Sequence, residues 1–156
     1  MRSVLARLVI GVAVTAIAMF GADNSIGTWK RNIETYKVTP PNKNPITSLT
    51  LVYKAVDGGV QGTATGQRKD GTAINGSYTV KYDGKEYPVT GAAWDTMSIK
   101  QIDANTFTSE AKKTGGKLHT TTRTVISKDG KTMTQTTTGT DAEGKPTKST
   151  TVYDKQ

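Results

Sequence analysis

Apolar and polar residues alternate with a period of two through much of the chain. In Leu49-Thr50-Leu51-Val52-Tyr53 one face carries Leu49, Leu51 and Tyr53. In Tyr78-Thr79-Val80-Lys81-Tyr82 one face is Tyr78, Val80 and Tyr82, and the other is Thr79 and Lys81. Phe107 and Ser109 oppose Thr106, Thr108 and Glu110 in the same way. This alternation means strands with one buried and one wet face. Turn signals recur between them: Asp57-Gly58-Gly59, Asp70-Gly71, Asp83-Gly84, Asp103-Ala104-Asn105, Gly115-Gly116, Asp129-Gly130 and Glu143-Gly144. Glycine accepts the positive φ of a tight hairpin, and Asp and Asn tolerate it better than most residues. Strands joined by tight turns form an antiparallel meander, and a long meander closes to hide its edges. The pattern therefore predicts an all-β, antiparallel up-and-down β-barrel of roughly eight to ten strands.

Three segments modify this picture. Ile26 to Val38 reads as a first strand with an irregular exit, and Thr39 to Ser48, with Pro40, Pro41 and Pro45, as a loop. Pro88 makes any strand over Glu86 to Thr90 short or an edge strand, because proline lacks a ladder donor. In the last third, Thr120, Thr121, Thr122 and Thr124 are followed by Thr132, Thr134, Thr136, Thr137, Thr138 and Thr140. Threonine suits strands but fills little volume. A barrel lined by such strands has a partly polar, under-filled interior that holds water or an amphipathic ligand. The other reading is a thin sheet solvated on both sides.

The N-terminus reads as an export signal over residues 1–18. Arg2 and Arg7 precede the apolar run Leu8 to Ala18, and Ala16-Ile17-Ala18 fits a small-x-small cleavage site. The run is short for a span of roughly 20 residues, although an uncleaved anchor is the alternative. Residues 19–156 then form one barrel domain, exported to the periplasm or secreted. The chain has no cysteine, so it has neither disulfides nor a thiolate metal site. Removing Arg2 and Arg7 takes the formal charge from +8 to about +6. The excess is mostly lysine near turns, which keeps sheets soluble and edges unpaired. No dense basic run is interleaved with aromatics, which argues against nucleic acid. Weak peripheral attraction to an anionic membrane surface or ligand remains open.

Gly27-Thr28-Trp29-Lys30 resembles the opening of the lipocalins and fatty-acid-binding proteins, whose Trp packs across one closed barrel end. Thr150-Thr151-Val152-Tyr153-Asp154-Lys155 is similar to the closing strand of the fatty-acid-binding proteins, where an Arg-x-Tyr pair grips a carboxylate. Tyr153 falls on the Tyr position and Thr151 on the Arg position, so half of that clamp is missing. Gly116-Lys117 followed by Arg123 has the spacing of a Gly-Lys and a second interior Arg in that family. The family's two-helix lid has no counterpart, since Thr39 to Ser48 is too short and proline-rich. Tyr82-Asp83-Gly84-Lys85, Tyr87-Pro88-Val89-Thr90-Gly91, Ser127 to Met133 and Val152 to Gln156, with the opening motif, resemble uncharacterised small secreted bacterial proteins. These likenesses imply a lipocalin-like (calycin) barrel and export, and supply no substrate.

The chain carries little candidate chemistry. His119 is the single histidine, and no metal-ligand spacing surrounds it. The acids Asp57, Asp70, Asp83, Asp129 and Glu143 sit at turns, where a carboxylate bonds nearby backbone. Ser98, Ser109 and Ser127 lack a nucleophile-elbow context. The chain is therefore expected not to be an enzyme and to need no cofactor or metal. Arg123 sits mid-strand on the face of His119, Thr121 and Val125. Pointing inward, it would bind an anionic group. The alternatives are stacking on Trp29 and an outward, solvated side chain. Trp94 is either a rim aromatic at the barrel mouth or ordinary core. Ser149, Thr151 and Tyr153 share one strand face, and Lys148 marks the other as the outside. The expected ligand-binding set is Arg123, Tyr153, Thr151 and Trp94. The expected function is non-catalytic binding of a small amphipathic or anionic ligand in the barrel. The rival is a protein-interaction or protease-inhibitor-like module with no small ligand, and a structural envelope protein is a third reading. A lined, open cavity favours binding, and a sealed interior favours the rival.

Overall fold

Turn residues cut the chain into ten strands. The computed structural model describes residues 22–156, so the expected signal segment lies outside the described residues. The strands are β1 (Gly27–Thr39), β2 (Ile46–Val56), β3 (Gly59–Arg68), β4 (Ala73–Lys81), β5 (Tyr87–Thr90), β6 (Thr96–Asp103), β7 (Thr106–Lys112), β8 (His119–Ile126), β9 (Thr132–Thr140) and β10 (Pro146–Lys155). Each pairs antiparallel with its sequence neighbours, and β1 closes on β10, with Trp29 opposite Lys155 and Arg31 opposite Tyr153. The expected all-β up-and-down barrel is the observed fold, with no helix among the described residues.

Several hairpins form where the sequence places glycine after an acid. Gly58 and Gly130 hold φ of 68° and 69°, a region that penalises a Cβ. Carboxylates at the turns accept backbone N–H groups two residues on: Asp129 from Lys131 at 3.0 Å and Asp83 from Lys85 at 2.9 Å. Pro88 leaves its mark in β5, which has four residues and only two paired positions with each neighbour.

One end of the barrel is packed. Trp29, Met133 and Val80 are fully buried there, with Val60 and Ile126. Residues 22–26 cross this end. In the closed strand order β6 lies five strands from β1 in either direction, so contacts joining the chain before β1 to the β6–β7 turn must span the base. Asn24 N–H donates to the Ala104 carbonyl at 3.1 Å, and Gln101 Nε2 donates to the Ala22 carbonyl at 3.3 Å. Trp29 Nε1 donates to the Ser25 carbonyl at 2.6 Å, and the Tyr82 hydroxyl donates to Asp23. Lys155, rather than an arginine, lies over the Trp29 ring, 5.0 Å from its centroid.

Candidate functional site

Above the packed base the barrel is hollow. A cavity of about 460 Å³ runs toward the end formed by the β3–β4, β5–β6 and β7–β8 connections. That size lies within the usual range of small-molecule sites, about 300–1,000 Å³. At the mouth it is bounded by Arg68, Ala73 and the exposed residues Gly91, Ala92 and Ala93.

Period-two geometry distributes the lining by strand. β8 contributes Thr120, Thr122 and Thr124, β9 Gln135 and Thr137, and β10 Ser149, Thr151 and Tyr153. β2 contributes Ile46, Leu49, Leu51 and Tyr53, β3 Val60 and Ala64, and β4 Ile74, Gly76 and Tyr78. Met97 and Ile99 of β6 and Phe107 of β7 continue the apolar side. The threonine-rich last third is thus a continuous polar wall. Thr122 and Thr137 are opposite each other in register, and their hydroxyls hydrogen-bond at 2.8 Å.

The buried charge in this cavity is Arg31; Arg68, at the mouth, is half-exposed and donates to the Asn44 carbonyl. The Arg31 side chain is 5% exposed, and its guanidinium carbon lies 3.8 Å from the centroid of the Tyr36 ring. Its Nε has no hydrogen-bond partner, and it forms no ion pair among the described residues. A buried cation without an anion is costly and is an open demand for one. Tyr36 reaches this position through an irregularity. The β1–β10 register shifts between Asn32 and Lys37, and the exposed Ile33 lies within the shifted stretch. An uninterrupted strand would place Tyr36 on the face opposite Arg31, and the bulge turns it inward.

The Tyr36 and Tyr153 phenols adjoin the cation, and Tyr53 and Tyr78 line the same cavity. Burial pushes the Tyr153 hydroxyl above its ordinary range, followed by the nearby Tyr53, while Arg31 pulls the other way. Burial also raises Tyr53 and lifts Tyr78 to about 12. All three therefore stay neutral at physiological pH and keep a proton to donate. At the mouth, Trp94 lines the cavity with its Nε1 buried and unpartnered. Asp95, next to it, ties the β5–β6 connection to the β7–β8 connection. It accepts the Thr114 N–H at 2.8 Å and meets Lys113 Nζ at 3.0 Å. The backbone bond from Thr114, with Lys113, holds the Asp95 carboxyl at about 2.

Of the residues expected from sequence, Thr151, Tyr153 and Trp94 border the cavity. Arg123 does not, and its expected inward placement is corrected. It is exposed on the outer wall, between Thr108 of β7 and Thr136 of β9. β8 turns Thr122, Thr124 and Ile126 inward, because Ile126 belongs to the packed base. Arg31 was missed, although a signal existed. Trp29 reads as core, and a period of two puts Arg31 on the same face. Tyr36 carried no such signal, since the bulge reverses its face.

No family model matches the chain, and no curated protein matches it. Among solved structures it is similar to the S-type phycobiliprotein lyase CPES from Guillardia theta, with 10% identity and a TM-score of 0.55. The match covers 85% of this chain and 89% of that one. A second similar structure is EF1p2_mFAP2b bound to DFHBI, with 10% identity and a TM-score of 0.48, covering 85% and 94% of the two chains. The likeness to the lyase shows a shared antiparallel β-barrel fold. It also corrects the expectation that this chain is not an enzyme. The same architecture carries a protein named as a lyase, so the scarcity of nucleophiles and metal ligands does not exclude catalysis.

Proposed function

We propose that this protein binds a small amphipathic anion inside its barrel, with Arg31 taking the charged group and the apolar wall taking the remainder. The observation that carries this reading is the buried, unpaired Arg31 in an open cavity of about 460 Å³. A planar guanidinium presents several donors to a carboxylate, phenolate or sulfonate, and neutral phenols beside it supply further donors. The open, lined interior favours this over a protein-interaction module. Export through residues 1–18 to the periplasm or the exterior belongs to the same proposal, supported by Arg2, Arg7 and the Ala16-Ile17-Ala18 site.

The test is a fluorescence titration with anilinonaphthalene sulfonate on wild type, Arg31→Met and Arg123→Gln. Wild type and Arg123→Gln are expected to bind alike, and Arg31→Met to lose most of the affinity. Equal binding by wild type and Arg31→Met would remove Arg31 from the site. Native mass spectrometry of the protein as purified would show whether it retains a natural ligand.

A further inference from the structure

The cavity is polar on one side from mouth to base, and this bears on the kind of anion it fits. Thr122, Gln135, Thr137 and Thr151 line one wall, while Leu51, Ile74, Ile99 and Phe107 line the facing strands. A straight-chain amphiphile has one polar end and is apolar all round below it. With its head at Arg31, its methylenes would press against the hydroxyl wall and strip those groups of water without replacing the bonds. The two orphaned donors also do not suit a chain. Arg31 Nε lies on β1, and Trp94 Nε1 lies in the β5–β6 connection at the mouth. β5 and β6 stand across the barrel from β1. One molecule satisfying both needs acceptors at two separated places. The aromatic groups point the same way. The Tyr36 ring lies over the Arg31 guanidinium, 3.8 Å from its central carbon to the ring centroid, and the Tyr82 and Phe107 rings meet at 51° with centroids 5.5 Å apart, so that each presents a separate aromatic surface. Such surfaces pack well against a planar ring system.

We infer that the ligand is a facially amphipathic, hydroxylated aromatic anion of about two or three rings, rather than a fatty acid. This rests on the proposed anion site at Arg31 and adds to it the shape and polarity of the rest of the molecule. Its hydroxyls lie along the β8–β10 wall, its ring face lies against β2–β7, its charged oxygen lies at Arg31, and a second acceptor meets Trp94.

Isothermal titration with quercetin and with laurate tests the inference on wild type, Thr122→Val, Thr151→Val and Arg31→Met. Ser149→Ala serves as a second polar-wall variant should a threonine variant fail to fold. Quercetin is expected to bind wild type at least about tenfold more tightly than laurate. Each polar-wall variant is expected to weaken quercetin by roughly fivefold and to tighten laurate, since it removes a hydroxyl that the chain would desolvate. Arg31→Met is expected to weaken both. Laurate binding as tightly as quercetin, with Arg31→Met still damaging, would overturn this inference and leave the anion site standing. Quercetin affinity indifferent to the polar-wall changes would overturn it as well. Binding of neither ligand by wild type would overturn the inference and the anion site together.

Discussion

The base of the barrel and the space above it are built from the same ten strands and filled in opposite ways. At the base, Trp29, Val80 and Met133 have no exposed surface, and residues 22–26 are bonded across the opening. Above it, small or short residues, among them Ala64, Gly76, Ala111 and the threonines of β8, are interspersed with the large ones and leave the interior under-filled. The base supplies cohesion in a chain with no disulfides. The upper half leaves a cavity unfilled and an arginine unpaired, which suits a binding site and works against stability. Packed core and open volume are therefore segregated along the barrel axis.

The largest expected effect lies at the base. Trp29→Ala should destabilise the protein by about 3–5 kcal/mol, read from urea denaturation, as loss of a large buried aromatic does. It also removes the Nε1 bond that anchors the strap at Ser25. An unchanged midpoint would show that the base is not where cohesion resides.

A pair of glycines on neighbouring strands sharpens the contrast between packed and hollow regions. Gly62 of β3 lies opposite Tyr78 of β4, and a Cβ there would overlap the Tyr78 ring. Gly62→Ala should cost about 1–3 kcal/mol as overpacking. Gly76 of β4 borders the cavity, and a Cβ there would meet only ordinary contacts, the nearest being the Thr90 carbonyl oxygen at 3.6 Å. Gly76→Ala should stabilise by about 0.5–1 kcal/mol through the chain entropy it removes. Equal effects at the two positions would mean that the wall near Gly76 is filled.

Arg31 provides the third comparison. Replacing it with Met removes an unpaired buried cation and fills part of the same volume. The ligand-free protein should become more stable by about 1 kcal/mol, even after the Tyr36 stacking is lost. A variant that binds worse and melts higher would identify a residue retained for binding. Loss of both stability and binding would mark Arg31 as structural.

The smallest effect concerns the mouth and is read against pH. The folded protein holds the Asp95 carboxyl at about 2, below the ordinary carboxylate value of about 3.9. A depressed folded value stabilises the protein above the unfolded value, and that contribution disappears as pH falls through the folded one. Asp95→Asn should therefore lower the melting temperature slightly at pH 6, and the difference from wild type should shrink between pH 4 and about 2. A difference independent of pH would point to packing rather than charge at this connection.

Much of the fold was legible because turns and strands are local. The Asp-Gly turns and the alternation in Leu49 to Tyr53 and Tyr78 to Tyr82 act over a few residues, where propensity and periodicity operate. The polar interior was legible too, since threonines at consecutive positions of β8 and β9 leave polar groups on both faces whichever way the strands turn. The inward face of β10 followed from Lys148 marking the outside. The anchor of the site was not read correctly, for a physical reason. A period of two states which residues share a face and leaves open which face is inside. In β8 the two faces are nearly balanced: His119, Thr121, Arg123 and Val125 against Thr120, Thr122, Thr124 and Ile126. Only the pairing with β7 and β9 decides that Ile126 fills the base and Arg123 meets water. In β1 the face of Arg31 could be counted from Trp29, but the inward turn of Tyr36 depends on the bulge that appears when β1 pairs with β10. Strand identity and wall polarity were thus determined by the sequence itself. Closure, register and the strap across the base depend on contacts between distant residues, and the tertiary structure alone decided that Arg123 meets water and Tyr36 turns inward.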